Sequence, residues 1–352
     1  MKILIIALSG IGDALMFTPA LKLLKDNIPD SQIDAMVMFK GVKDIYSRLP
    51  EINSVHHFDF LNRSPFDALK FVLSLRKKYS VTVNVYPSNR KEYNVINFLI
   101  GAKERATVKY KRMDFQNLGF LNNVRIIEND STHNVIHNLG LIRKAFDINS
   151  EDKHALNFPL LKEDFDFADN FFSERNISTD ELLIGFHPGC AVLKNHTKRR
   201  WETEKFAALT DKLFTECGAK IFLFGGPEEA ELRKEILSLA ATKNIVEVSA
   251  GSLAESAAVM QRMNVFVSND SSLMHISAAL QLKTVAIIGP TNEEFIHPWN
   301  TNYKIASLNL ECAPCFFYSP KPLTCKRTDI QFKCIRELDV ELVFSKVKEF
   351  ID

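Results

Sequence analysis

A carboxylate in a glycine turn, a run of three cations and a series of polar strand ends are the parts of this sequence equipped for chemistry. Asp13 stands in Ser9-Gly10-Ile11-Gly12-Asp13-Ala14-Leu15, directly behind an apolar run that reads as a strand. Such a turn exposes backbone N–H groups at a helix start. A carboxylate in the first helical turn, on the crevice side of a sheet, can accept a proton from whatever enters, or can serve merely as the helix cap. As a dinucleotide fingerprint the turn is poor, because Leu15 stands where a third Gly or Ala should allow close helix–sheet packing. That argues against an NAD enzyme.

In the second half, Lys198-Arg199-Arg200 precede Trp201 at a loop-to-helix junction. Three cations there suit a diphosphate, whose departing charge Arg, Lys and helix N-termini stabilise without a metal; the alternative is a solvated basic loop. His187-Pro188-Gly189 follows one strand and Phe224-Gly225-Gly226-Pro227-Glu228-Glu229 another. Gly189, Gly225 and Gly226 let a ligand approach the backbone, and an acid at this place accepts from a ribose or sugar hydroxyl. Ser268-Asn269-Asp270-Ser271-Ser272 leads into a helix bearing His275, and Gly289-Pro290-Thr291 ends the next strand. Polar turns after successive parallel strands fall on one edge of the sheet, where such folds bind ligands. His275 lies on the ligand side of its helix or is a satisfied core histidine; the pattern leaves both open.

The elements that must hold these turns alternate. Lys2–Leu8, Gln32–Met38, Ser54–Phe58 and Val81–Tyr86 read as strands in the first half, with helices over Asp13–Leu24 and Phe66–Leu75. Leu182–Phe186, Lys220–Phe224, Ile245–Val248, Val265–Ser268 and Thr284–Ile288 read as strands in the second, with helices near Glu202–Glu216, Pro227–Ala241, Leu253–Arg262 and Ser272–Leu280. The pattern predicts an α/β chain with two parallel sheets covered by helices. A length of 352 residues suits two domains. The acidic stretch from Asn149 to Asp180 divides them, giving domains 1–160 and 161–352, with the last helix a candidate to pack back on the N-terminal domain. Facing crevices predict an interdomain cleft.

The formal net charge of +1 hides an asymmetry: residues 1–150 carry 21 Lys+Arg against 14 Asp+Glu, and residues 151–352 carry 23 against 29. Most of the positive excess lies between Arg63 and Arg112, which suits an anionic partner or a solvated basic face. That stretch has no recognition motif or aromatic stacking platform for nucleic acid. Met1 to Leu8 is too short for a membrane span, and no stretch reaches the ~18 apolar residues one needs. A soluble, cytoplasmic protein is expected. Four of the six cysteines fall as Cys312-Ala313-Pro314-Cys315, Cys325 and Cys334. This is metal-ligand spacing, so a structural zinc or iron is one expectation and free or redox-labile thiols the other.

Taken together, Gly10-Ile11-Gly12-Asp13 with Thr18-Pro19, His187-Pro188-Gly189 with Arg200-Trp201, Phe224-Gly225-Gly226, and Asn269-Asp270 with His275 and Gly289-Pro290-Thr291 resemble the ADP-heptose:lipopolysaccharide heptosyltransferases of glycosyltransferase family nine. The resemblance covers nearly the whole chain. It implies a GT-B fold of two Rossmann-like domains, the N-terminal one receiving the acceptor and the C-terminal one holding a nucleotide sugar. It further implies an inverting transfer of heptose or a related sugar from a nucleoside diphosphate, ADP-heptose first, to a lipopolysaccharide core or similar anionic glycolipid or glycan. Asp13 matches the family's base and Asp270 the acid near the donor. Glu229 lies near its nucleotide-binding acid, with Glu228 and Glu231 as neighbours in a loose register. Lys198, Arg199, Ser271, His275, Gly289 and Thr291 complete the expected donor site. No metal or other cofactor is expected for catalysis, and peripheral contact with the inner face of the membrane is. Two positions depart from the pattern: Arg199 replaces the usual Lys, and Ser272 the usual Gly. The alternatives are a GT-B hexosyltransferase, a sugar-nucleotide epimerase, or a nucleotide-sugar-binding protein without catalysis.

Overall fold

The computed structural model describes residues 1–178, 180–317 and 322–352. They form two compact units, Met1–Pro159 with Glu294–Ile296, and Leu160–Glu293 with His297–Asp352. The first unit opens with β1 (Lys2–Ala7), buried from Ile3 onward. A parallel strand covered on both faces must be apolar throughout, so period-two alternation is absent here. Then follow α1 (Ile11–Leu15), α2 (Thr18–Asn27), β2 (Gln32–Val37), α3 (Lys40–Tyr46), β3 (Ser54–His57), α4 (Pro65–Ser74), β4 (Val81–Asn84), α5 (Lys91–Ile100), β5 (Glu104–Lys109), β6 (Val124–Ile127) and α6 (Asn134–Phe146). The six strands are parallel, in the order β3-β2-β1-β4-β5-β6. The helix expected over residues 13–24 is two helices. Pro19 sits in the first turn of α2, where its missing N–H is tolerated, and Thr18 Oγ1 donates to Leu15 O at 2.8 Å across the break.

The second unit repeats the plan with α7 (Lys162–Glu174), β7 (Leu183–His187), α8 (Thr203–Cys217), β8 (Lys220–Leu223), α9 (Ala230–Leu239), β9 (Ile245–Glu247), α10 (Leu253–Met260), β10 (Val265–Asn269), α11 (Ser272–Ala279) and β11 (Lys283–Ile287). After α12 (Glu293–Ile296), whose last three residues belong to the first unit, it closes with β12 (Tyr303–Ala306), α13 (Lys333–Arg336) and α14 (Val340–Lys348). Its strands are also parallel, in the order β12-β11-β10-β7-β8-β9. The last helix packs on α8, β11 and β12. Strand order reverses beside β1 in one sheet and beside β7 in the other. Ligand crevices of such sheets therefore lie at the carboxyl ends of β1 and β4, and of β7 and β10. Among the described residues no helix is long and apolar enough to cross a membrane.

The second sheet is packed to a tolerance that one methyl group tests. A Cβ added at buried Gly185 of β7 would come within 2.6 Å of the Phe266 ring and 3.0 Å of the Phe224 ring. Neither ring has room to retreat, since both are fully buried and lie against each other at 5.5 Å. Gly185→Ala is therefore expected to cost about 1–3 kcal/mol. Thermal unfolding checks this: a melting temperature several degrees below wild type is expected, and an unchanged one would show that the layer can relax.

Candidate functional site

Asp13 occupies the third position of α1, three residues past the N-cap Gly10, and is half-buried. The N-cap itself is a glycine without a side-chain cap bond, and Asp13 is the acid of the helix's first turn. Three buried tyrosines surround the turn. Tyr46 donates to Ala14 O at 3.0 Å and Tyr93 to Leu8 O at 2.9 Å, while the Tyr110 hydroxyl accepts from the amide of Ser88. Burial first, with the Asp13 charge adding to it, pushes Tyr93 up to about 12 and Tyr46 and Tyr110 further still. These phenols stay neutral donors at any ordinary pH. Ser9 Oγ donates to Pro87 O at 2.6 Å, which ties the turn to the end of β4 across the first crevice. A Cβ built on Gly10 would meet nothing within 4 Å, so space is open there.

Several of the expected donor residues of the second unit lie together at the β7/β10 crevice. Asp270, just past β10, is buried and takes an ion pair from Arg199 and a 2.6 Å hydrogen bond from Thr291 Oγ1. Arg199 is itself buried, and its guanidinium lies 5.8 Å from the centre of the Phe316 ring. Asn269 fastens three segments at once: its Oδ1 accepts from Trp201 N at 3.1 Å and its Nδ2 donates to Pro188 O at 2.7 Å. His275, in the first turn of α11, is buried, and its Nδ1 has no hydrogen-bond partner among the described residues. Burial pushes its imidazole down to about 4, with Arg199 and His297 reinforcing this and Asp270 opposing it. It is neutral near pH 7.

Glu229 stands apart from the other acids of its turn. It is buried, whereas Glu228 and Glu231 are exposed. Its Oε2 accepts from Gly226 N and meets His187 Nε2, both at 3.0 Å. Burial raises this carboxyl, but the hydrogen bond and charge of His187, the Gly226 amide and the Arg200 charge together bring it below the ordinary value. The second nitrogen of His187 lies 2.8 Å from Ser271 Oγ, which is 3.1 Å from Ser268 Oγ. With Glu229 ionised, Nε2 is the donor of that bond, and the direction of the Nδ1–Ser271 bond follows the proton count of the ring. Sequence reading placed His187 in a motif without giving it this role; its position at the strand end, before Pro-Gly, was the available signal. Gly189 and Gly225 follow from the same cluster. A Cβ at Gly189 would come 1.7 Å from Glu229 Oε1, and Gly225 has φ +155.

Lys198 is not gathered with the others: it is exposed and lines a separate cavity of about 460 Å³ with Arg200, Glu202 and Arg336. Gly289 is enclosed, since a Cβ there would meet Ile335 at 2.6 Å and Cys334 Sγ at 3.2 Å. The cysteine loop braces the same turn, with Cys315 N and Phe316 N both donating to Pro290 O, at 3.0 and 2.9 Å. Burial, then the charges of Cys315, Cys312 and Cys325, push Cys334 up to about 11. Among the described residues no group of three or more His, Cys, Asp or Glu is placed to hold a metal ion.

The model of Glycosyltransferase family 9 (heptosyltransferase) matches residues 76–323. Lipopolysaccharide heptosyltransferase 2 of Escherichia coli (strain K12) is 26% identical over 324 residues, 88% of this chain and 88% of that protein. Lipooligosaccharide heptosyltransferase 2 of Campylobacter jejuni subsp. jejuni serotype O:2 is 26% identical across 100% of this chain and 98% of that protein. Among solved structures, E. coli ADP-heptose lps heptosyltransferase II superposes with a TM-score of 0.74 at 21% identity, covering 100% of this chain and 98% of that one. That likeness shows the GT-B fold of two Rossmann-like units.

The Glu229 environment sets a pH dependence with a definite sign. A carboxyl lowered in the folded state contributes stability that is present above its ordinary value of 4.5 and lost as pH falls through the folded value. The melting temperature of the wild type should thus fall more steeply below pH 4.5 than that of Glu229→Gln; parallel curves would contradict the assignment. His187→Ala, which leaves this carboxylate without its main partner, is expected to destabilise by about 1.5–3 kcal/mol at neutral pH.

Proposed function

The chain belongs to glycosyltransferase family 9, and from that premise we propose that it is an inverting transferase acting on a nucleoside-diphosphate sugar. The donor proposed is ADP-heptose or a close relative, and the acceptor a lipopolysaccharide core or similar anionic glycan. The observation that carries this reading is the buried Arg199–Asp270–Thr291 cluster at the β7/β10 crevice, beside Glu229 held by His187. Parallel α/β sheets bind nucleotides at such a crevice. In this reading Glu229 accepts from the ribose hydroxyls, and the first amides of α11 with the Arg199 charge receive the diphosphate.

Transfer then needs one proton acceptor. The acceptor hydroxyl oxygen attacks the anomeric carbon from the face opposite the leaving group, the bond from that carbon to the phosphate oxygen breaks, and Asp13 takes the hydroxyl proton. The nucleoside diphosphate leaves with its charge met by Arg199 and by Lys198, should that exposed side chain turn toward it. No metal is assigned a step. The positive excess between Arg63 and Arg112 favours an anionic acceptor and a peripheral position on an acidic membrane face.

Asp13→Asn is expected to lower kcat by about 10²–10⁴-fold while leaving the thermal shift given by ADP intact. Asp270→Ala is expected to shrink that shift and raise the donor KM. Turnover that survives in Asp13→Asn would overturn the assignment of the base, and product analysis with several sugar nucleotides identifies the sugar transferred.

A further inference from the structure

Several of the first unit's exposed large apolar side chains lie on α4 and the elements beside it. Helix α4 presents Phe66, Leu69 and Leu73 to solvent, at 75%, 43% and 42% exposure, and turns only Val72 fully inward. The spacing of three and four residues puts these three on one stripe of the helix. Helix α4 packs beside α5, and α5 beside the turn at Gly119–Leu121, so they form a continuous row. Phe98 of α5 is exposed as well, and so are Phe115 and Phe120, whose rings lie 5.3 Å apart. Soluble surfaces seldom collect apolar side chains in this way without a partner.

Charge on the same row narrows what that partner is. Arg63, Lys70, Arg76, Lys77 and Lys78 are all exposed along α4 and its ends. From Arg63 to Arg112 the chain carries twelve Lys and Arg against three carboxylates. A second copy of the chain docked through this face would bring like charges together, and protein interfaces are depleted in Lys. An apolar helix face flanked by cations fits the boundary layer of an acidic bilayer, where the rings enter the acyl edge and the ammonium groups meet lipid phosphates. We propose that the α4–α5 row is the surface by which this protein lies on an anionic membrane, with Phe66, Leu69 and Leu73 inserted. The inference deepens the peripheral position in the function proposed above, and names its surface.

Co-sedimentation of the full chain with vesicles tests it, using phosphatidylcholine alone and an equal mixture with phosphatidylglycerol. Binding to the mixed vesicles only, weakened by salt, is expected. Phe66→Ser with Leu73→Ser is expected to reduce partitioning at least about tenfold, and Lys70→Glu with Lys78→Glu by a similar factor. Both double variants should keep the wild-type melting temperature and thermal shift with ADP. In Phe66→Trp, the emission should shift to the blue on adding the mixed vesicles. Wild-type chain that ignores acidic vesicles, variants that bind them as the parent does, or an oligomer that disperses in the apolar double variant would each overturn the proposal. An intact ADP response in those cases leaves the donor site standing; its loss in the wild type would count against the proposed function instead.

Discussion

An ionised carboxylate buried in a protein is tolerated only when its charge is met, and the second unit buries two within one cluster of strand ends. Asp270 is met by Arg199 and Thr291, and Glu229 by His187 and the Gly226 amide. Those partners come from turns after different strands, so meeting the charges draws the turns together. Ser271 extends the link from His187 back to the start of α11, and Asn269 holds Pro188 and Trp201. The glycines follow as a consequence, because Gly189 lies where any side chain would overlap Glu229. A site preorganised in this way meets a ligand with little rearrangement, which is the condition for electrostatic stabilisation of a departing diphosphate.

The first unit is organised differently. Asp13 is held by the backbone of a five-residue helix and bordered by buried phenols whose hydroxyls are committed to Ala14, Leu8 and Ser88. These groups fix the turn around Asp13. The cysteine loop contributes by bracing: its backbone holds Pro290, one residue from the threonine that bonds Asp270, and its Phe316 lies beside the Arg199 guanidinium.

Much of this was legible in the sequence because strand ends in a parallel sheet share one edge. Once the apolar runs are found, Asp13, Glu229, Asp270 and Thr291 fall on the correct edges without further information. The strands that escaped notice are those with charge or exposure in them. β5 reads ERATVK, β6 is only half-buried, and β12 forms a sheet edge with Lys304 within it. Side-chain partnerships were the harder part. That Arg199 is buried against Asp270 while the adjacent Lys198 faces solvent depends on the phase of a short 3-10 turn, over Leu193–Arg199, which composition does not encode. The role of His187 was hidden for a similar reason, since Glu229 and Ser271 are 42 and 84 residues away from it along the chain.

The central claim is that a nucleoside diphosphate sits on the second unit's strand-end turns. Amide hydrogen exchange of the intact protein with and without ADP measures this most directly. Added protection is expected at residues 187–190, 225–229, 269–273 and 289–292, with the α4–α5 row of the first unit unaffected. Protection confined to the first unit, or none under saturating ADP, would contradict it.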